Sequence, residues 1–255
     1  MTNKERVRMS LRHEAPDRVP YHIGFTYYAH RKMVAYYGDP DFAAKLGNAL
    51  LELGTERPGS WREVRPNIWE DEFGVQWDRS IDKDIGVVCN TMITPENLEE
   101  YRFPDPDDPA RFAGYGRAIT EHPDRFVVAN LGFSLFERAW TLAGMETILG
   151  AMVLQPEFVH RLLDRILDYN CRIIDHACRQ PIDAMMFGDD WGQQRGLIMG
   201  PERWREFIKP RIRVMYQRVK AHGKFVFIHS CGKVDAIFPD LIEAGLDVFN
   251  PFQPE

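Results

Sequence analysis

The sharpest chemical pair in the sequence is His229 and Cys231, in the run Ile228-His-Ser-Cys-Gly232. Two residues apart in extended chain, their side chains emerge on the same side. An imidazole and a thiolate suit zinc, whose sites take four ligands and, when catalytic, leave one position for water or substrate. Two ligands do not complete a site, and the His-x-Cys spacing recurs by chance. A hydrogen-bonded histidine beside a buried thiol satisfies the same spacing.

Asp189 and Asp190 form the second constellation, in Gly188-Asp-Asp-Trp-Gly-Gln-Gln194. Neighbouring carboxylates on extended chain point to opposite faces, so one can enter a pocket while the other caps or turns the chain ahead of the helix that Pro201 opens. The pocket carboxylate could serve as acid, base, metal ligand or cation-binding group. Glu137 precedes Arg138 at a helix start, where it can reach the same mouth or remain in solvent. Tyr27, Tyr28, Phe133, Phe136 and Trp191 cluster after predicted strands. Such aromatics usually fill a core, but with a few polar groups among them they also build a ligand pocket. Tyr27, Phe136, Glu137, Trp191, Gln194 and Gln253 are therefore the candidate substrate contacts, and Asp189 and Asp190 the candidate catalytic carboxylates. His22 has no His-x-His partner, which argues against a metal barrel built on that motif.

These residues need a scaffold that brings distant strand ends together. Five apolar runs read as buried strands: Arg18–Gly24, Arg125–Gly132, Ile182–Gly188, Lys224–Ser230 and Leu246–Asn250. Helical patterns separate most of them, which predicts βα units and a parallel sheet. From Glu157 to His176 apolar residues recur at helical spacing behind Pro156. Pro201 opens another helix, which Pro210 must kink or interrupt because proline removes a donor and clashes one turn back. Residues 30–115 read as an insertion packed beside the sheet, with a hairpin or meander at Trp69–Trp77 and a surface loop at Phe103–Pro109. The fold class is a (β/α)8 TIM-type barrel, whose chemistry sits at the carboxyl ends of the strands. With only five strands legible in 255 residues, the reading is of a barrel truncated after its fifth strand.

Composition narrows the function. A net charge of −6 and a pI near 5.8 argue against a nucleic-acid partner. No apolar run approaches the ~20 residues of a membrane span, and the first residues lack a signal peptide's apolar core. The four cysteines form no CxxC pair, which suits reduced thiols in the cytoplasm. Cys171 and Cys178 share a helix face, where core packing explains them.

Taken in order, several blocks resemble the uroporphyrinogen decarboxylase superfamily over nearly the whole chain. They are Arg6–Arg12 with Pro16-Asp-Arg-Val-Pro20, Gly188–Gln194 with Met199–Pro210, Ile228–Gly232, and Ala244–Pro254. True uroporphyrinogen decarboxylases carry an Arg-Gln-Ala-Gly-Arg-Tyr type motif for the substrate carboxylates. The corresponding stretch here is Gly24-Phe-Thr-Tyr-Tyr-Ala-His30. The other branch resembles methylcobalamin:coenzyme M methyltransferases, which bind zinc through His-x-Cys and a distant later cysteine. His229 and Cys231 match the first part, and the later cysteine would fall beyond Glu255. The resemblance thus implies zinc at His229 and Cys231, a corrinoid carried by a partner protein, and methyl transfer to or from a thiol or small methylated substrate. The alternatives are tetrapyrrole decarboxylation, with Asp189 or Asp190 as acid, and a non-catalytic corrinoid- or metabolite-binding barrel.

Overall fold

The structure, a computed structural model, describes residues 1–252; Gln253 lies outside the described residues. Two helices open the chain, α1 (Asn3–Leu11) and α2 (Tyr27–Tyr37). Helix α1 starts in a capping box, where the Thr2 side chain accepts from the Glu5 backbone and the Glu5 carboxylate accepts from the Thr2 backbone. Strand β1 (Leu50–Gly54) follows, then a run of short strands: β2 (Arg62–Arg65), β3 (Ile68–Glu70), β4 (Gln76–Asp78) and β5 (Val87–Val88). These four pair antiparallel in sequence order. The Trp69–Trp77 stretch adopts the hairpin expected of it, with Trp69 opposite Trp77.

After α3 (Tyr115–Glu121) the chain alternates between strands and helices. Strand β6 (Phe126–Leu131) leads to α4 (Phe136–Ala143), α5 (Met145–Leu154) and α6 (Pro156–Arg179). Strand β7 (Ala184–Gly188) is followed by the small hairpin β8 (Gly192–Gln193) and β9 (Gly196–Leu197), then by α7 (Pro201–Arg203) and α8 (Lys209–Ala221). Strand β10 (Phe225–His229), α9 (Phe238–Ala244) and β11 (Val248–Asn250) complete the described chain. Between α7 and α8, residues Trp204–Ile208 form a π turn. It occurs where Pro210 has no N–H to return to the preceding turn, so the expected interruption takes this form.

Five strands make one parallel sheet in the order β1-β6-β7-β10-β11, the progression of a (β/α) barrel, left open among the described residues. Alternation along the strands sorts the side chains into two cores. Val127, Ala129, Leu131, Met185, Phe187, Val226 and Ile228 pack with the helices. Phe126, Val128, Ala184 and Phe227 face the other way, where Val7 of α1 covers them. His229 continues the Phe225-Phe227 row by the same period of two. Helix α1 is held at the amino ends of the strands: Lys4 and Arg8 both grip buried Asp183, at 2.9 and 2.8 Å. The opposite, carboxyl ends are left for chemistry. The meander is tied to α4 through the buried pair Asp71–Arg138, whose guanidinium also lies 3.8 Å over the Phe73 ring.

The first strand is a correction. Arg18–Gly24 forms no strand, and the first parallel strand is Leu50–Gly54, inside the stretch assigned to the insertion. Pro20 cannot donate to a ladder, and Val19, Tyr21 and Ile23 remain exposed. The segment instead lies along the start of β1, with Ala49 N–H donating to the Tyr21 carbonyl and Ile23 N–H to Asn48 Oδ1. Glu52, 3.5 Å from His22, breaks the apolar run of Leu50-Leu-Glu-Leu and hides the true strand. The other four strands of the parallel sheet, β6, β7, β10 and β11, fall within the expected runs. No helix among the described residues is long and apolar enough to cross a membrane.

Candidate metal centre

Strands β7, β10 and β11 lie side by side and end at one level, with Gly188 opposite His229 and His229 opposite Asn250. The chain leaving β7 is then zipped to the chain leaving β10. Asp189 N–H donates to the His229 carbonyl at 3.0 Å, Trp191 N–H to Ser230 Oγ at 3.0 Å, and Lys233 N–H to the Gln193 carbonyl at 3.0 Å. Asp190 Oδ1 accepts from Cys231 N–H at 2.7 Å.

This zip gathers Asp190, His229 and Cys231. One ligand atom from each lies within 4.8 Å of the others. Cys231 Sγ is 3.3 Å from His229 Nε2, and that nitrogen is 3.9 Å from Asp190 Oδ1. Ligands ~2.0–2.3 Å from a tetrahedral zinc stand about 3.3–3.8 Å apart. The spacings of 3.3 and 3.9 Å lie at the lower edge of that range and just above its upper edge, and with an imidazole, a thiol and a carboxylate the donor set fits the ion implied by the His-x-Cys pair. The site opens to solvent: the Asp190 and His229 side chains are 37 and 38% exposed, and Cys231 is exposed. Desolvation, then the charge and hydrogen bonding of Asp190, raise the Cys231 thiol above its ordinary value. A bound cation would reverse that balance.

The adjacent aspartates divide their work. Asp189 is wholly buried and accepts from Leu135, Phe136 and Glu137 N–H at 3.2, 3.1 and 2.8 Å, and from the Trp191 indole at 2.6 Å. It caps α4 from a neighbouring strand end, not the helix at Pro201 that the sequence suggested for one of the pair. Burial pushes its carboxyl up to about 6 against these donors, which pull it down. Phe136 and Trp191 are also in the core, the latter edge-on to Trp204. Glu137, half-buried at the start of α4, stands close enough to Asp189 and Asp190 to feel both charges. Burial first, and then those charges, push it up to about 8. Gln194 is exposed in the turn of the β8–β9 hairpin, and Tyr27 is half-exposed in the first turn of α2, its N–H on Asp84.

One participant had no assigned role in the sequence reading. Asn250 Oδ1 lies 2.8 Å from His229 Nδ1. Its signal was a polar residue closing a predicted strand next to that of His229.

The family model for uroporphyrinogen decarboxylase (URO-D) matches residues 71–251. A search of curated proteins gives no match. Among solved structures, a methyltransferase from Methanosarcina mazei shares the fold with a TM-score of 0.70 and 17% identity, over 98% of this chain and 75% of that one. The family match spans well over half of the sequence and contains all three strand ends that build the site, so this chain belongs to the uroporphyrinogen decarboxylase family.

Proposed function

We propose that this protein is a methyltransferase that works at a zinc site formed by Asp190, His229 and Cys231. The methyl group would pass between a corrinoid carried by a partner protein and a thiol or small methylated substrate. The observation that carries this reading is the three-donor cluster at the ends of neighbouring strands, with spacings suited to one small divalent ion. Bound zinc would hold a substrate sulfur as thiolate at neutral pH. The residues of the chain do the rest. Cys231 and Asp190 supply two negative charges, so that their own sum with a divalent cation is neutral. His229 contributes a neutral donor. Glu137 sits beside them at the start of α4, a carboxyl that burial and the two aspartate charges push up to about 8 in the metal-free protein, and it can hydrogen-bond to a group arriving at the mouth. The name of the Methanosarcina fold relative is compatible with this reading.

Metal analysis of the purified protein and of His229→Ala, Cys231→Ser and Asp190→Ala tests the site. One zinc per chain in the wild type, and loss in each variant, is expected. Undiminished zinc in all three variants would sink the assignment. Methyl transfer from methylcobalamin to a thiol, followed by mass spectrometry of the thioether, tests the activity.

A further inference from the structure

We propose that Asn250 is the positioning residue for His229, fixing the ring as its Nδ1–H tautomer and aiming the Nε2 lone pair at Asp190 and Cys231. The inference rests on the metal reading above for its purpose, and on geometry alone for its substance.

A neutral imidazole has one donor and one acceptor nitrogen, and the partner of the first decides the role of the second. His229 Nδ1 lies 2.8 Å from Asn250 Oδ1, an atom that only accepts. Nδ1 therefore carries the proton. Nε2 is left with a free lone pair on the side where Cys231 Sγ lies at 3.3 Å and Asp190 Oδ1 at 3.9 Å. The polarity is continuous when no ion is bound: the Cys231 thiol donates to Nε2, and Nδ1–H donates to Asn250.

The backbone makes the contact reliable. Strands β10 and β11 pair in parallel with His229 opposite Asn250, and Ser230 N–H donates to the Asn250 carbonyl at 2.9 Å. Residues opposite one another in neighbouring strands put their side chains on the same face. The asparagine thus reaches the ring from the adjacent strand without a loop having to order. Its neutrality also matters. An aspartate in its place would keep the acceptor but add a third negative charge beside Asp190 and Cys231.

Nitrogen-15 NMR of the histidine-labelled, metal-free protein tests this directly, with His229→Gln assigning the signals. Wild type and Asn250→Asp should show Nδ1 protonated and Nε2 bare, and Asn250→Leu should lose that preference. In parallel, competition with a chromogenic chelator should show zinc held about 10–100-fold more weakly by Asn250→Leu, with most of the affinity kept by Asn250→Asp. A protonated Nε2 in the wild type, or an unchanged tautomer in a folded Asn250→Leu, would overturn the proposal. If the tautomer shifts as expected but the wild type takes up no zinc, the positioning role stands and the metal reading fails. Thermal melts of each variant separate loss of the contact from loss of the fold, and because leucine is close to asparagine in size, loss in Asn250→Leu with retention in Asn250→Asp marks the acceptor oxygen rather than the side-chain volume.

Discussion

Gly192 and Gly232 meet backbone to backbone in the loops that carry Asp190 and Cys231. A Cβ on Gly232 would lie 2.3 Å from the Gly192 carbonyl carbon, and one on Gly192 would lie 2.5 Å from the Cys231 carbonyl oxygen. Gly232 also holds φ at +83°, where a side chain is strained. Neither obstacle is a side chain that could rotate away. Gly232→Ala is expected to part the two strand-end loops, break the Asp190–Cys231 hydrogen bond, and cost about 1–3 kcal/mol of stability. Zinc titration alongside a thermal melt should show both effects; full metal affinity in this variant would mean that the loops do not depend on the close approach.

The neighbouring aspartates should separate cleanly by experiment. Asp189→Ala strips the cap from α4 and leaves three backbone donors and an indole N–H buried without their acceptor. A loss of about 2 kcal/mol or more is expected, read as a lower melting temperature. Asp190→Ala, at a half-exposed position, should leave the melting temperature of the metal-free protein within a few degrees while removing zinc. Equal loss of stability in both would contradict the division of roles.

Glu137 gives a pH signature. Its folded value of about 8 lies above the ordinary 4.5, chiefly through burial. Between those values the folded protein keeps a proton that the unfolded chain has released. Stability is therefore fully present below pH 4.5 and declines as pH rises towards 8. Glu137→Gln removes the titration, so the metal-free variant should gain stability relative to the wild type from pH 5 to pH 8, on the order of 1–3 kcal/mol. Denaturant melts across that range check it, and a difference that does not change with pH would refute it.

Uroporphyrinogen should not be decarboxylated at a useful rate. Several carboxylates of that substrate must be desolvated together, which is costly without cations to pair them. Arginine's planar fork is suited to that task. The Gly24–His30 stretch contains none. Arg31 is turned over the Tyr27 ring, 5.7 Å from its centroid, and Arg195 is exposed in the turn of the β8–β9 hairpin. Anaerobic incubation followed by chromatography for coproporphyrin provides the test; steady turnover would promote the decarboxylase alternative.

By itself the sequence determined the four later parallel strands, the long α6 helix and the interruption near Pro210. Each is written in local chemistry: short apolar runs, helical periodicity, and a missing backbone donor. His-x-Cys was legible for the same reason, since a period of two fixes both side chains on one side. The first strand was not, because Leu50–Gly54 gains its identity only by pairing with β6, and its glutamate disguises it. Only the tertiary structure decided which aspartate meets the cluster. Asp189 and Asp190 are equivalent in type and adjacent in sequence, and the choice depends on the start of α4 arriving over one of them and Cys231 over the other. The partner of His229 was likewise set by the register between β10 and β11. Register is a relation between strands 21 residues apart along the chain, as His229 and Asn250 are, and no local pattern in either strand specifies it.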